Sequence, residues 1–355
     1  MYKSTDSAGK PAAVTGAYLE PTARWSGPGP RPLVALAPGT MGQGDACAAS
    51  KALENPLSIG RGSVSVGYEN LAAYRLLAKG VAVVVTDYIG LGTTDRVHTY
   101  INRVDEGHAV LDAVRAARAL PGTSITGASA VGLFGYSQGG QGTAAAAELQ
   151  PSYAPDVKLA GAYAGAPLAD LSGPLTEADG TSFTAAIAWS TNGFVQAYPQ
   201  LKPIVDKYLN AKGEKALKDA STMCTGDGIF AFNGQKSSSW TKTGQSMAEI
   251  VEAEPELRKV FAEQRIGNLT PDTPVRVANG VNDNLVPFQQ ARRLAADWCA
   301  RGASVSFVPV EVPALPVKLL NHFLPMLSDQ GTAINWVTDR LAGKAATANC
   351  QDVTD

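Results

Sequence analysis

The sequence is poor in charge and in histidine, and it has no long apolar run. Charged residues make up 17% of its 355 residues, against about 25% in an average soluble domain. Its 30 basic and 32 acidic side chains nearly cancel, leaving a formal net charge of −2. Neutralising phosphates takes a basic surface, so a nucleic-acid partner is excluded. With 45% apolar residues and so little net charge, intrinsic disorder is excluded as well. The longest strongly aliphatic run, Val81 to Val85, is far short of the ~20 residues a membrane helix needs, which excludes a polytopic membrane protein. Neither G-x-x-x-x-G-K-[ST] nor G-x-G-x-x-G occurs, so neither of these nucleotide-binding loops is present.

Cysteine is scarce too: Cys47, Cys224, Cys299 and Cys350. None form C-x-x-C and no histidine stands at zinc-finger spacing, so no metal site is expected. An even number of scattered cysteines suggests two disulfides, with three connectivities open. Disulfides persist in oxidising compartments. The opening Met1-Tyr2-Lys3-Ser4-Thr5-Asp6 has no apolar signal-peptide core. The expectation is a secreted protein whose leader is not part of this sequence. Four buried free thiols in a cytosolic protein is the alternative.

What is present is an alternation of strand and helix signals. The first ~30 residues, rich in Pro and Gly, read as an arm with at most one edge strand. Leu33–Ala37, Val81–Thr86, Val131–Gly135, Leu159–Ala164, Pro274–Asn279 and Val305–Val310 read as short buried strands. Between Ala37 and Gly67 lies a Gly- and Ser-rich loop. Tyr68–Ala78 (Leu71, Tyr74 and Leu77 on one face), Glu106–Leu120, Gln138–Leu149, Pro287–Cys299 and Gln330–Leu341 read as helices. This order predicts an α/β fold with a mostly parallel sheet flanked by helices. Over 170–268 the rhythm breaks into helical patterns, among them Ala185–Trp189, Ile204–Leu209 and Met247–Val260. The expected organisation is a core of 1–169 and 269–355 with a mainly helical lid, 170–268, inserted over the strand ends.

The sharpest motif is Gly135-Tyr136-Ser137-Gln138-Gly139, a G-x-S-x-G with a strand directly before it and a helix directly after. A nucleophilic serine must project from a turn so tight that flanking side chains would clash, and the two glycines remove those Cβ atoms. The Gln138 N–H then lies at a helix N-terminus, where the dipole favours a developing oxyanion. A serine hydroxyl needs a base. Of the three histidines, His98, His108 and His322, only His322 follows the serine, as the order Ser, acid, His requires. It is expected in a loop after the last strand. His98 reads as a loop residue near the site and His108 as structural. The acid must lie between Ser137 and His322, just past a strand end, and Asp283 alone satisfies both conditions. Asp87 precedes the nucleophile and reads as a structural turn residue. The second oxyanion donor is expected from the loop Ala37-Pro38-Gly39-Thr40-Met41-Gly42-Gln43-Gly44, through the N–H of Thr40 or Met41.

With these residues assembled, the chain resembles the secretory lipases, the Candida antarctica lipase A-like group of α/β-hydrolases, and their bacterial branch in particular. The resemblance rests on Pro38-Gly39-Thr40-Met41-Gly42 ahead of Cys47, Asp87-Tyr88-Ile89-Gly90-Leu91-Gly92, Gly107-His108-Ala109-Val110-Leu111-Asp112-Ala113-Val114-Arg115, the Ser137 motif and the Asp283 loop. It implies the α/β-hydrolase fold, the helical lid, and disulfides Cys47–Cys224 and Cys299–Cys350. Asn321 stands where the fungal lipases suggest a cysteine.

The function these residues predict is carboxylic ester hydrolysis of the lipase or esterase type. Ser137 is the nucleophile, His322 the base, Asp283 its orienting acid, and the amides of Gln138 and Thr40 or Met41 the oxyanion hole. No cofactor or metal is implied. The expected partner is a small-molecule or lipid ester, with transient contact to a lipid surface, and the chain is expected to be a monomer. The apolar residues of 170–268, Phe194 and Phe230 among them, are expected to cover Ser137 and favour medium or long acyl chains. An acyltransferase with the same triad and a non-catalytic hydrolase-like binding protein are the alternatives.

Overall fold

The computed structural model describes residues 1–54, 57–60, 63–92 and 96–353. Its strands are β1 (Tyr2–Thr5), β2 (Pro11–Leu19), β3 (Leu33–Ala37), β4 (Leu57–Gly60), β5 (Ser63–Val66), β6 (Ala82–Ile89), β7 (Val131–Tyr136), β8 (Leu159–Gly165), β9 (Val275–Gly280) and β10 (Val305–Val310). Eight of them form one sheet in the order β1-β2-β6-β3-β7-β8-β9-β10, and β4 and β5 form a separate hairpin. From β6 to β10 every pairing is parallel. β1 and β2 add an antiparallel edge. Every residue of β3, β6, β7 and β9 is buried, as strands covered on both faces must be, which explains the apolar runs of β3 and of 82–85 in β6.

Helices Arg103–Ala119, Gln138–Tyr153 and Phe288–Ala300 cover one face, in a cluster with Leu111, Ala145 and Trp298. Helices Ala49–Glu54, Asn70–Ala78 and Lys318–Leu341 cover the other, in a cluster with Leu76, Ile334 and Val337. The parallel order puts all the C-terminal strand ends on one edge, and the chain leaves β8 there for a long excursion. Seven helices follow, from Ser172–Ala178 to Pro255–Glu263, and no strand is found among the described residues between β8 and β9. They share an apolar cluster with Tyr100, Tyr136 and Val286 of the core, in which Trp189 and Trp240 are fully buried. The two ends of the excursion meet where the Ile266 N–H donates to the Ala169 carbonyl at 2.9 Å.

Several expectations are corrected. The N-terminal arm contains two strands, not one at most. Helix Ala49–Glu54 and the β4–β5 hairpin occupy the stretch expected to be a loop. Helix Asn70–Ala78 buries Ala72, Ala73 and Leu76, while Leu71 and Tyr74 face solvent. A small-residue face packs close to the sheet, and counting only large apolar residues missed it. Met247–Val260 is two helices, Met247–Ala253 and Pro255–Glu263, because Pro255 starts a helix well and continues one badly. The last helix begins at Lys318 and not near Gln330, so His322 lies on a helix and not in a loop. Pro325 and Gly331 lie within it.

Two disulfides are present, Cys47–Cys224 and Cys299–Cys350. The first joins the segment after β3 to the inserted helices across 177 positions. Bonds around it continue the join: the Gln43 N–H donates to the Met223 carbonyl and the Thr225 N–H to the Met41 carbonyl. Closing so long a loop restricts the unfolded chain, and a Cys47→Ala/Cys224→Ala variant should lose about 2–4 kcal/mol of stability. Urea unfolding at unchanged slope measures this. All four cysteines are bonded, so the protein should show no thiol reactive to Ellman's reagent, native or unfolded in urea without reductant.

Candidate active site

The turn at Ser137 forms where β7 ends and helix Gln138–Tyr153 begins. Ser137 has φ 60° and ψ −121°, a conformation L-residues rarely adopt and one found where a site stores strain. Its N–H donates to the Gly165 carbonyl at 2.9 Å. The glycines around it are obligatory by contact. A Cβ at Gly135 would lie 2.2 Å from the Gly139 carbonyl oxygen, and one at Gly139 would lie 2.0 Å from that of Ala37. The strand and helix can approach this closely only without side chains at those positions.

Ser137, His322 and Asp283 come together in one chain of hydrogen bonds. His322 Nε2 lies 2.9 Å from Ser137 Oγ, and His322 Nδ1 lies 2.6 Å from Asp283 Oδ2. Asp283 follows β9, and its other oxygen accepts the N–H groups of Leu285 and Val286, each at 3.0 Å. A carboxylate held this way keeps the proton on Nδ1 and turns the Nε2 lone pair toward the serine. The helix bearing His322 is clamped from two sides. Tyr136 Oη donates to the His322 carbonyl at 2.7 Å, and the Asn321 amide bonds both the N–H and the carbonyl of Leu315. Asn321 thus holds the approach to His322 by hydrogen bonds at the position where the fungal resemblance suggests a cysteine.

The loop after β3 runs alongside. The Gly39 N–H donates to Glu69 Oε1 at 2.8 Å, and burial pushes the Glu69 carboxyl up to about 7. Tyr88 Oη donates to the Pro38 carbonyl, and Tyr68 Oη and Thr225 Oγ1 donate to that of Thr40. Thr40 Oγ1 lies 2.8 Å from Tyr100 Oη. The N–H groups of Gly39, Gln43 and Gly44 are therefore committed. Those of Thr40 and Met41 have no protein partner among the described residues. On the other side, the Gln138 N–H belongs to the first turn of its helix, where no carbonyl of that helix can accept it.

His98 is buried behind Gln138. Its Nδ1 donates to the Ile89 carbonyl at 2.8 Å, and its Nε2 accepts from Gln138 Nε2 at 3.0 Å. Burial pushes its pKa down to about 4, so the ring is neutral near pH 7. His108 stacks on Tyr153 and bonds the Thr5 carbonyl, away from the serine. Asp87 lies inside β6, where it accepts the N–H and hydroxyl of Ser50, and not in a turn.

An apolar pocket opens at Ser137 and His322. The core contributes Tyr100, Ile101, Leu168, Leu285 and Val286. The inserted segment contributes Leu171, Leu175, Phe183, Ile187 and Phe261. Two expected lining residues lie elsewhere. Phe194 packs against Phe261 one layer behind the wall, and Phe230 is 77% exposed. Phe261 and Leu175 were not anticipated, since a helix with an apolar face toward a pocket carries the same period as one facing a core.

The model of the secretory lipase family matches residues 55–349. The chain is 30% identical over 271 residues to a probable inactive lipase of Mycobacterium tuberculosis, covering 76% of this chain and 57% of that one. It is 28% identical over 253 residues to a secreted triacylglycerol lipase of Malassezia globosa, covering 70% of this chain and 54% of the relative. The chain thus spans little more than half the length of these curated relatives. Candida antarctica lipase A in its closed state superposes with a TM-score of 0.82 at 20% identity, over 99% of this chain and 79% of the lipase. A rice cell wall degrading esterase from Xanthomonas oryzae superposes with a TM-score of 0.78 at 20% identity, over 97% of this chain and 90% of the esterase. Those two likenesses establish the α/β-hydrolase fold. By the family match across 55–349, this chain is a member of the secretory lipase family.

Proposed function

We propose that this chain is a serine carboxylic ester hydrolase that works through an acyl-enzyme on medium- to long-chain acyl esters. The observation that carries the reading is the unbroken bond chain from Ser137 Oγ through His322 to Asp283 at the mouth of an apolar pocket. Ser137 Oγ adds to the ester carbonyl as its proton passes to His322 Nε2. Asp283 steadies the imidazolium that results. The N–H groups of Gln138 and of Thr40 or Met41 take the oxyanion. Collapse expels the alcohol, which receives the proton from His322. Water then repeats the sequence on the acyl-enzyme and releases the acid. The two disulfides and the family's secretory character support an extracellular location.

A fluorophosphonate probe tests the nucleophile, with the adduct mapped by peptide mass. Labelling of Ser137 and release of free acid from p-nitrophenyl esters are the expected results. Folded protein that is not labelled would instead be a binding protein on a hydrolase scaffold, a reading the inactive relative makes worth testing. Transfer to added alcohol in preference to water would make it an acyltransferase.

The pocket wall should set acyl length. Phe261→Ala widens it and Leu175→Trp narrows it, so the two should move the chain-length optimum in opposite directions. Each methylene gained or lost is worth about 0.8 kcal/mol, up to roughly fourfold in kcat/KM. A p-nitrophenyl ester series reads the shift. Identical profiles in both folded variants would place the acyl group elsewhere.

A further inference from the structure

One buried carboxyl group lies next to the site and takes no part in the bond chain of Ser137, His322 and Asp283. Glu106 stands in the first turn of helix Arg103–Ala119 and is 0% exposed. No cation is paired with it among the described residues. Its Oε1 instead accepts two hydrogen bonds of different origin. The Ile101 N–H donates at 2.9 Å and the Gln138 side-chain Nε2 at 2.8 Å.

Both donors belong to working surfaces. Gln138 supplies the helix-end N–H proposed for the oxyanion, and its Nε2 has its second hydrogen on neutral His98 at 3.0 Å. Ile101 is a wall of the acyl pocket, beside Tyr100. It has φ 56°, a left-handed conformation that is a true outlier for a β-branched residue and persists only when its surroundings enforce it. Here the enforcement is visible at both ends of the residue. Glu106 takes its N–H, and Gln141 Nε2 donates to its carbonyl at 2.9 Å. Tyr100, held next to it, reaches Thr40 Oγ1 on the far side of the site.

We propose that Glu106 is a positioning residue of the hydrolysis: by accepting both Gln138 Nε2 and the Ile101 N–H, it holds the oxyanion amide and the acyl-pocket wall in one geometry. Burial raises its pKa well above the usual carboxyl range, which works against a negative charge beside a developing oxyanion. The proposal rests on the esterase reading above.

The test compares Glu106→Gln with Glu106→Leu in the full chain. Gln keeps an acceptor oxygen of the same reach, and Leu removes it. Protein is titrated with a fluorophosphonate so that kcat is counted per labelled serine. Glu106→Leu should lose at least about tenfold in kcat, toward the roughly 10²–10³-fold seen when an oxyanion donor is removed. KM should change far less, and Glu106→Gln should recover most of the rate. A purely structural role would lower the labelled fraction and leave kcat per labelled serine unchanged, which overturns the proposal. Equal loss in both variants overturns it as well. If Glu106→Leu does not fold, Gln138→Met cuts the same link while keeping the backbone N–H, and its kcat must fall. Wild-type activity, measured first, separates the two readings: an inactive wild type sinks both, and an active wild type beside an equally active Glu106→Leu sinks only this one.

Discussion

Ser137→Ala should fold normally and lose on the order of 10⁴–10⁶-fold in kcat. The hydroxyl has one side-chain partner, His322 Nε2, so its removal should change stability by no more than about 1 kcal/mol. In the proposed mechanism, by contrast, no other group can form the acyl-enzyme, because the base and its carboxylate activate that one oxygen and the oxyanion amides serve the substrate carbonyl that it attacks. Residual catalysis would come from the oxyanion hole and binding alone. Asp283→Asn is the complementary case. An amide in place of the carboxylate can present its NH₂ to His322 Nδ1, which favours the tautomer with the proton on Nε2. The lone pair is then absent where the serine proton must go, and a loss of about 10⁴-fold is expected. Steady-state kinetics with parallel thermal melts decide both. A folded Ser137→Ala enzyme at near wild-type rate would end the assignment of the nucleophile.

The parts of this molecule that were legible in the sequence are those with a local signature. Short stretches of apolar and β-branched residues mark strands even where polar residues interrupt them or, as in β10, one position is exposed, so β3, β6, β7, β8, β9 and β10 were each located within a few residues. The Ser137 turn is legible for the same reason: its glycines are demanded by contacts at 2.0–2.2 Å with Gly139 and Ala37. The order Ser, acid, His then selects residues that the fold places within hydrogen-bond reach.

What could not be read depends on which face a residue presents. Glu106 follows Asp105 at a helix start, where acids normally serve the helix dipole, and nothing local distinguishes a solvated acid from a buried acceptor. Glu69 is equally silent, because its partner, the Gly39 N–H, is 30 residues away. The N-terminal hairpin was hidden by its Pro and Gly. Its second strand is alternately buried and exposed only over its first residues, Pro11 to Val14. Phe230 and Phe261 are both aromatic residues on amphipathic helices, and only tertiary packing sends one to the surface and the other to the pocket.

Glu148→Ala should destabilise the protein by about 3–5 kcal/mol. Glu148 lies on helix Gln138–Tyr153, which Ser137 immediately precedes, and its side chain is fully buried. Its Oε2 pairs with Arg103 Nη2 at 2.9 Å. Its Oε1 accepts Trp298 Nε1 at 2.9 Å and the N–H groups of Gly267 and Leu269 at 2.7 and 3.2 Å. One carboxylate thus joins two core helices to the segment where the inserted helices return to the sheet. The Arg103 N–H donates to Gln264 Oε1 at 2.8 Å in the same region. Alanine would leave a largely buried guanidinium without its partner and three donors unpaired, which is the costly way to break a buried pair. Glu148→Gln retains an acceptor and should lose clearly less. Urea midpoints at unchanged slope give both values. A loss below about 1 kcal/mol, the range of an exposed ion pair, would mean that the return segment is held by its other bonds, Ala169–Ile266, Arg103–Gln264 and Arg301–Gly267 among them.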